Sequence, residues 1–245
     1  MDRRRFLGTL AFGAAAFGQE RRGEAQQASP EQQRPSLETT LEHQKQADAQ
    51  VGEIEKKSNE VKPKIEQGQK ALGGIKEKTQ PILVEASAIK IPESISTDVE
   101  QATAELQKVL KQAEEVQKKL VQPLDDINKV NVEVSGEYRK LFTQFIELRN
   151  NFQAVLDFVN SDEYKNLLAK SDRKQEMEGL KTWAQNFGSR LQKANEAFQS
   201  TRQANEKFNG QMEKDSMEIM TISAKIGQLA AEILTKAAGL RKKAQ

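Results

Sequence analysis

Few side chains in this sequence have the type and spacing that catalysis or metal binding requires. The chain has no cysteine and one histidine, His43, so Cys/His zinc sites and haem ligation by paired histidines are essentially excluded. Two carboxylate pairs, Asp125 with Asp126 and Asp162 with Glu163, could bind a divalent ion or act in acid/base chemistry. Each pair lies beside a predicted helix break, where acidic residues complement the helix dipole. We therefore predict no catalytic residue, no metal ligand and no cofactor.

His43 and Trp183 are the two remaining candidates, and each has a structural interpretation. His43 lies on a polar face near Glu38 and Glu42, and without a second histidine or cysteine it is predicted to be a solvated surface residue. Trp183 flanks an apolar seam and is predicted to pack against other side chains. No glycine-rich loop follows a strand pattern, which argues against a nucleotide-binding fold. The sequence predicts a non-enzymatic protein with no evident small-molecule substrate.

A helix-period pattern at the C-terminal end organises the chain. Between residues 172 and 243, apolar residues recur at alternating steps of three and four. Fifteen of the nineteen seam positions are apolar, whereas a chain that is 36% hydrophobic would place about seven there by chance. One helix of this length would be roughly 108 Å long and needs partners along its whole length. The seam consists of Met177, Leu180, Ala184, Phe187, Leu191, Ala194, Phe198, Thr201, Asn205, Phe208, Met212, Asp215, Ile219, Ile222, Ile226, Leu229, Ile233, Lys236 and Leu240.

An earlier segment, residues 37–91, carries a similar seam. Pro63 and Pro81 each remove a helix hydrogen bond, and the Gly73–Gly74 pair weakens the middle of the segment. We therefore expect this helix to be kinked or broken in places. Its seam is Val51, Ile54, Ser58, Val61, Ile65, Gly68, Leu72, Ile75, Thr79, Ile82, Ala86 and Ile89.

A further segment, residues 98–159, lies between these two. It begins after a turn in which Ser96, Thr97 or Asp98 can cap a helix, and its second half is aromatic. The three segments predict an all-α fold, an elongated antiparallel three-helix bundle over residues 37–245. The bundle is expected to be coiled-coil-like, with helices at about 37–91, 98–159 and 172–243.

Turns near residues 94 and 165 would bring Pro63, Pro123 and Asn205 to nearly one level of this bundle. We interpret this level as a shared bend where the helices are kinked near the two prolines. A polar seam residue such as Asn205 lowers stability but can fix helix register and the number of partners.

The same two turns predict two further neighbourhoods. Phe145 and Phe152 should lie beside Phe187 and Leu180, so that the aromatic halves of both segments meet at one end. Asp215 should lie near the Gly73–Gly74 pair and face water there.

The N-terminal residues resemble the twin-arginine export signal. The sequence DRRRFLG contains Arg3 and Arg4, one variable residue, and then Phe6 and Leu7, and a short, mildly apolar segment follows it. The resemblance implies that residues 1–25 are an export signal and that the protein is carried across the cytoplasmic membrane to a periplasmic or extracellular location.

Cleavage of this signal has two candidate positions, after Gly18 or after Ala25, both in small-x-small patterns. Residues 26–36 are polar, contain Pro30 and Pro35, and are predicted to form a disordered tether. Removal of residues 1–18 deletes three arginines and one aspartate from 38 basic and 36 acidic residues, which leaves 35 of each. A neutral chain argues against nucleic acid as a partner, and charge does not support membrane contact.

These observations lead to one main functional hypothesis and two alternatives. The main hypothesis is an exported structural protein of the cell envelope, a scaffold or adaptor that binds protein partners or self-associates. In architecture such a bundle is similar to spectrin-like bundles. The first alternative is a membrane-acting bundle, which could resemble helical pore-forming toxins or membrane-remodelling bundles. The second is a small-ligand or metal binder that uses the aromatic end as a pocket.

Overall fold

The computed structural model describes residues 36–170 and 173–243. The chain divides into two units, Met1–Ser36 and Leu37–Gln245, and the described helices belong to the second unit. The predicted export signal at 1–25 lies outside the described residues, as does the predicted tether apart from Ser36.

Four helices make up the described part of the second unit, and three of them are long. They are α1 (Leu37–Ala88), α2 (Val99–Val159), α3 (Asp162–Lys170) and α4 (Lys174–Lys243). No strand occurs in residues 36–170 or 173–243. At 1.5 Å per residue the long helices measure about 78, 92 and 105 Å. Each of them packs against the other two, with α2 antiparallel to α1 and α4, which confirms the predicted elongated three-helix bundle.

Local capping signals determine where α2 and α3 begin. Asp98 is the N-cap of α2, and its carboxylate accepts a hydrogen bond from the Gln101 backbone amide at 2.9 Å, as predicted. Ser161 caps α3, because its hydroxyl accepts from the Tyr164 amide at 3.1 Å. α1 ends at Ala88 instead of residue 91, since Pro92 disfavours a helical conformation at the residue before it.

α1 is continuous through its two prolines. Pro63 and Pro81 lie inside the helix with their rings exposed, and the Gly73–Gly74 pair is helical as well. A proline in a helix interior costs about 3 kcal/mol, whereas each fully buried aliphatic side chain contributes about 1.5–3 kcal/mol. Val61 and Ile65, on either side of Pro63, are both buried in the core. Burial of the seam therefore offsets the local cost, and the expected breaks do not occur.

The contacts between α1 and α2 fix the position of the first turn. Lys64 Nζ donates to Glu137 Oε2 at 2.8 Å, and Asn151 Nδ2 donates to Gln50 Oε1 at 3.0 Å. In an antiparallel pair, the midpoint of two contacting residue numbers gives the position of the turn. That midpoint is close to residue 100 for both contacts, whereas the sequence predicted a turn near residue 94. α2 therefore runs past the end of α1 at Ala88.

The second turn is also displaced from its predicted position. Phe145 stacks on Phe198 with ring centroids 4.0 Å apart, and Phe152 lies 5.2 Å from Phe187. These pairs are centred near residue 170 instead of 165, because α3 occupies the connection. The aromatic halves of α2 and α4 do meet, but the partner on α4 differs from the predicted one by eleven residues for Phe145 and by seven residues for Phe152.

Gly68 marks a close approach of α1 to both other long helices. A Cβ atom at this position would lie 2.6 Å from Val134 Cγ2 and 3.1 Å from a ring carbon of Phe208. Val134 and Phe208 are both buried, and Val134 has a β-branched side chain with little rotamer freedom. The hydrogen atom of glycine is therefore what allows the seam to close here.

We predict that Gly68→Ala lowers the free energy of unfolding by roughly 1–3 kcal/mol, because the added methyl group overpacks this contact. Gly210→Ala is the matched control, since a Cβ at Gly210 would meet nothing within 4 Å. That variant should gain up to about 1 kcal/mol from helix propensity. Urea unfolding followed by circular dichroism measures both. A Gly68→Ala protein as stable as the control would contradict the close approach.

Candidate interaction surface

The predicted bend layer is only partly assembled. Lys62 Nζ bonds Ser200 Oγ at 3.0 Å, and Lys64 bonds Glu137, so Pro63 lies between these two contacts, close to the level of Asn205. Pro123 lies fourteen residues before Glu137 on α2, which is about 21 Å further along that helix. The structure therefore brings Pro63 and Asn205 to neighbouring levels and leaves Pro123 in a different layer, because the first turn is centred near residue 100.

Asn205 belongs to a polar layer inside the seam. It is 7% exposed, and its side-chain oxygen has no hydrogen-bond partner in the described part of the chain. One turn away, the Thr201 hydroxyl lies 3.1 Å from two carbonyl oxygens, those of Ser58 and Ala197. Gln69 Nε2 donates to the Ala204 carbonyl oxygen at 3.1 Å. These contacts tie α1 to α4 at the cost of burying an unpaired amide oxygen.

Asp215 forms a second polar layer. Its side chain is 4% exposed, and its Oδ1 atom accepts a hydrogen bond from Lys76 Nζ at 3.0 Å. The prediction that Asp215 faces water is therefore wrong, because α1 covers it and supplies a counter-ion. The hydrogen bond and the negative charge of Asp215 raise the pKa of Lys76 above its ordinary value. A cavity of about 10 Å³, the size of a single water, adjoins the pair.

His43 is half-buried and bonded, in contrast to the predicted solvated residue. Its Nδ1 atom lies 2.9 Å from Asn151 Oδ1, and Asn151 donates in turn to Gln50. The three side chains form a hydrogen-bonded chain between α1 and α2. The sequence pattern missed it because Asn151 lies more than 100 residues from its partners.

Trp183 packs inside the bundle, as predicted. Its ring stacks on Phe187 at 4.5 Å, and its Nε1 atom donates to Asp48 at 2.9 Å. Arg190 donates to the other oxygen of the same carboxylate, and its guanidinium carbon lies 5.3 Å from the centre of the Phe187 ring. Asp48 of α1 thus holds two side chains of α4 in position.

The carboxylate pairs bond within their own helices. Asp126 accepts from Gln122 at 2.8 Å and from Lys129 at 3.4 Å, in a helix that continues through Pro123 without the expected break. Asp162 accepts from Lys165 at 2.8 Å, and this contact lowers the pKa of the Asp162 carboxyl. Nowhere in residues 36–170 and 173–243 do three histidine or acidic side chains come together to hold a metal ion.

The aromatic end is filled by its own side chains. Phe187 and Phe198 are almost fully buried, and Phe198 contacts Tyr138, Phe142 and Phe145. Burial raises the pKa of the Tyr138 phenol. The rings thus occupy the volume that a ligand in the predicted aromatic pocket would need. None of the four described helices is both long enough and apolar enough to cross a membrane.

Large apolar side chains are exposed mainly on α2 and α4. On α2 they are Val121 at 46%, Val132 at 65%, Phe142 at 41% and Ile146 at 36% exposure. At 100° per residue these four lie within an arc of about 80°, and we call this arc the outer face of α2. Only Val84 among the exposed large apolar residues of the described chain lies on α1; the others are Met217 and Leu234 on α4.

A groove between α2 and α4 adjoins the outer face near the end where α1 is absent. Its volume is about 310 Å³, and its lining is mostly apolar. The helix-period pattern did not reveal this surface, because that pattern identifies only the residues of the seam. A second stripe on α2, displaced from the seam and repeating every ten or eleven residues, is the signal that could have found it. The groove is lined by Leu106, Gln107, Leu110, Ile233, Leu234, Ala237 and Ala238.

We predict that Asn205→Leu raises the free energy of unfolding by about 1–3 kcal/mol, because it removes a buried amide oxygen that lacks a partner. Asn186→Leu, at an exposed position of the same helix, should change stability by less than about 0.5 kcal/mol. Thermal and urea unfolding compare the two variants. A loss of stability in Asn205→Leu, larger than in the control, would mean that the amide contributes more through its contacts than its burial costs.

Comparisons with known proteins identify no family. No protein-family model matches the sequence, and no curated protein matches it. Among solved structures, the chain is similar to a computationally designed three helix bundle, with 12% sequence identity and a TM-score of 0.29 over 84% of this chain and 91% of that chain. At this TM-score the similarity supports no argument about fold or function.

Proposed function

We propose that this chain is an exported, non-enzymatic structural protein of the cell envelope, which acts as a scaffold or adaptor for protein partners. The observation that carries the proposal is the outer face of α2, where Val121, Val132, Phe142 and Ile146 are exposed along one side of a helix about 92 Å long. Exposed apolar side chains that share a face are typical of protein interaction sites, whereas scattered ones are not.

The seam gives this face its mechanical support. Phe145 and Leu148, which alternate with the outer-face residues Phe142 and Ile146, are buried against the other helices. The outer face is therefore fixed to a packed core. When a partner binds, the side chains of this face lose little conformational freedom, which keeps the entropic cost of binding low. Val121 and Ile146 lie about 38 Å apart along the helix, enough for a partner segment of several helical turns.

The N-terminal resemblance supports the location. Arg3, Arg4, Phe6 and Leu7 match the twin-arginine pattern, and that route carries folded passengers. A bundle of local helical contacts folds in microseconds to milliseconds, so such a passenger would fold before a channel that accepts unfolded chains could engage it.

We expect a photo-crosslinking amino acid at Phe142 to form adducts with a protein in intact cells, because this side chain lies on the outer face. The control is the same amino acid at Val84, which is apolar and 61% exposed but lies on α1. Gel shifts and mass spectrometry identify the adducts. Equal labelling from both positions, or none from position 142, would refute the role of this face.

We expect Arg3→Lys combined with Arg4→Lys to keep the full chain in the cytoplasm, because the export signal depends on the arginine pair. Arg21→Lys combined with Arg22→Lys retains the charge of a second arginine pair outside the motif and should leave export unchanged. Cell fractionation with immunoblotting measures the distribution. An unaltered distribution in the first variant would overturn the export proposal.

A further inference from the structure

We infer that the outer face of α2 binds the same face of a second copy of this chain, antiparallel, across a two-fold axis between Asn131 and Val132. The inference rests on the proposed function, because it names the partner of the same surface. It is carried by a self-complementary pattern of spacing and charge on α2.

The intervals between residues at one end of the outer face are the same as those at its other end, counted in the opposite direction along the chain. Glu114, Gln117 and Val121 are separated by three and then four residues, and Arg149, Ile146 and Phe142 are separated by three and then four when read backwards. A two-fold axis between residues 131 and 132 therefore places Val121 opposite Phe142 of the second copy. It also places Gln117, which is half-buried and donates to Ser223 Oγ of α4, opposite Ile146 of the second copy. Helix positions that repeat in steps of three and four stay on one face, so both contacts form at once.

Charge selects the antiparallel orientation. Glu114 is exposed on the same arc of α2 as the four apolar residues, and Arg149 is exposed about 20° beyond one edge of that arc. The same axis places each opposite the other in the second copy. Because of the two-fold symmetry, the Glu114–Arg149 ion pair forms at two places in the interface, as expected when both copies use the same surface. A parallel pairing in the same register would instead place Glu114 against Glu114 and Arg149 against Arg149, and like charges disfavour it.

The remaining polar side chains near the axis are compatible with this pairing. Asn128, Asn131 and Ser135 are uncharged, and Asn131 and Ser135 are half-buried and bonded to each other at 2.7 Å. Arg139 falls opposite Leu124 of the second copy, where its aliphatic stem can lie on the apolar side chain. Between Glu114 and Arg149, Arg139 is the charge within the arc, and Asp125 is exposed about 20° beyond the other edge of it.

The size of the contact sets the expected strength. Residues 114–149 span about 52 Å, and a helix about 10 Å wide gives a footprint of roughly 500 Å² per partner. A standard stable interface buries about 800 Å² per partner, so the dimer is expected to be weak and to depend on concentration. Light scattering of the purified 245-residue chain should then give an average mass that rises from that of a monomer towards twice that value in the micromolar to millimolar range.

The absence of cysteine from the sequence allows a direct test of the pairing. Val121→Cys combined with Phe142→Cys should give a disulfide-linked dimer under mild oxidation, because the two positions of one chain are about 31 Å apart and only copies can bridge them. Lys56→Cys combined with Val84→Cys is the matched control on exposed positions of α1 and should crosslink much less. Equal crosslinking of the two variants would overturn the inference.

A charge exchange separates the specific contact from loss of folding. Glu114→Arg should weaken the dimer at least tenfold, and Glu114→Arg combined with Arg149→Glu should restore it, with circular dichroism unchanged in both. A chain that stays monomeric throughout, or an exchange that does not restore the dimer, would overturn the inference. If position 142 crosslinks to a different protein in cells while the purified chain is monomeric, the second copy is excluded and the proposed function stands.

Discussion

Burial of the α4 seam between α1 and α2 is the constraint on which the rest of this structure depends. A helix about 105 Å long cannot bury its apolar side by itself, and Phe187, Phe198, Phe208 and Ile219 are buried because neighbouring helices cover them. Because that need recurs at every turn, α1 and α2 must run beside α4 over most of its length. The same requirement keeps α1 helical through Pro63 and Pro81.

Polar residues inside the seam determine how the three helices are aligned. An apolar stripe with steps of three and four can slide by one heptad and still bury most of its side chains. Lys76 with Asp215, and Thr201 with the Ser58 carbonyl, bond only in the observed alignment of α1 and α4. Such contacts add little net stability, since burying a charge or an amide is costly, but they disfavour the displaced alternatives.

The outer face of α2 has the opposite character. Val121, Val132 and Ile146 are exposed outside the seam, and Phe142 is exposed as well although its ring also lies 6.2 Å from that of the buried Phe198. They lie where another helix can pack, beside a groove between α2 and α4 that no third helix of residues 36–170 and 173–243 occupies.

The sequence by itself determined the helical class, the three long segments and the residues of the seam, because these follow from a local period that each helix carries independently. The sequence also named Asp98 as one of three candidate caps for α2, and the structure has Asp98 in that position. Only the tertiary structure decided which levels of the three helices meet: that Phe145 stacks on Phe198, that Asp215 is buried beside Lys76, and that Pro123 lies apart from Pro63 and Asn205. The physical reason is that the repeating apolar stripe of one helix can pack against the stripe of another in several alignments. The choice among them depends on the turn lengths and on bonds between residues more than 70 positions apart in the chain.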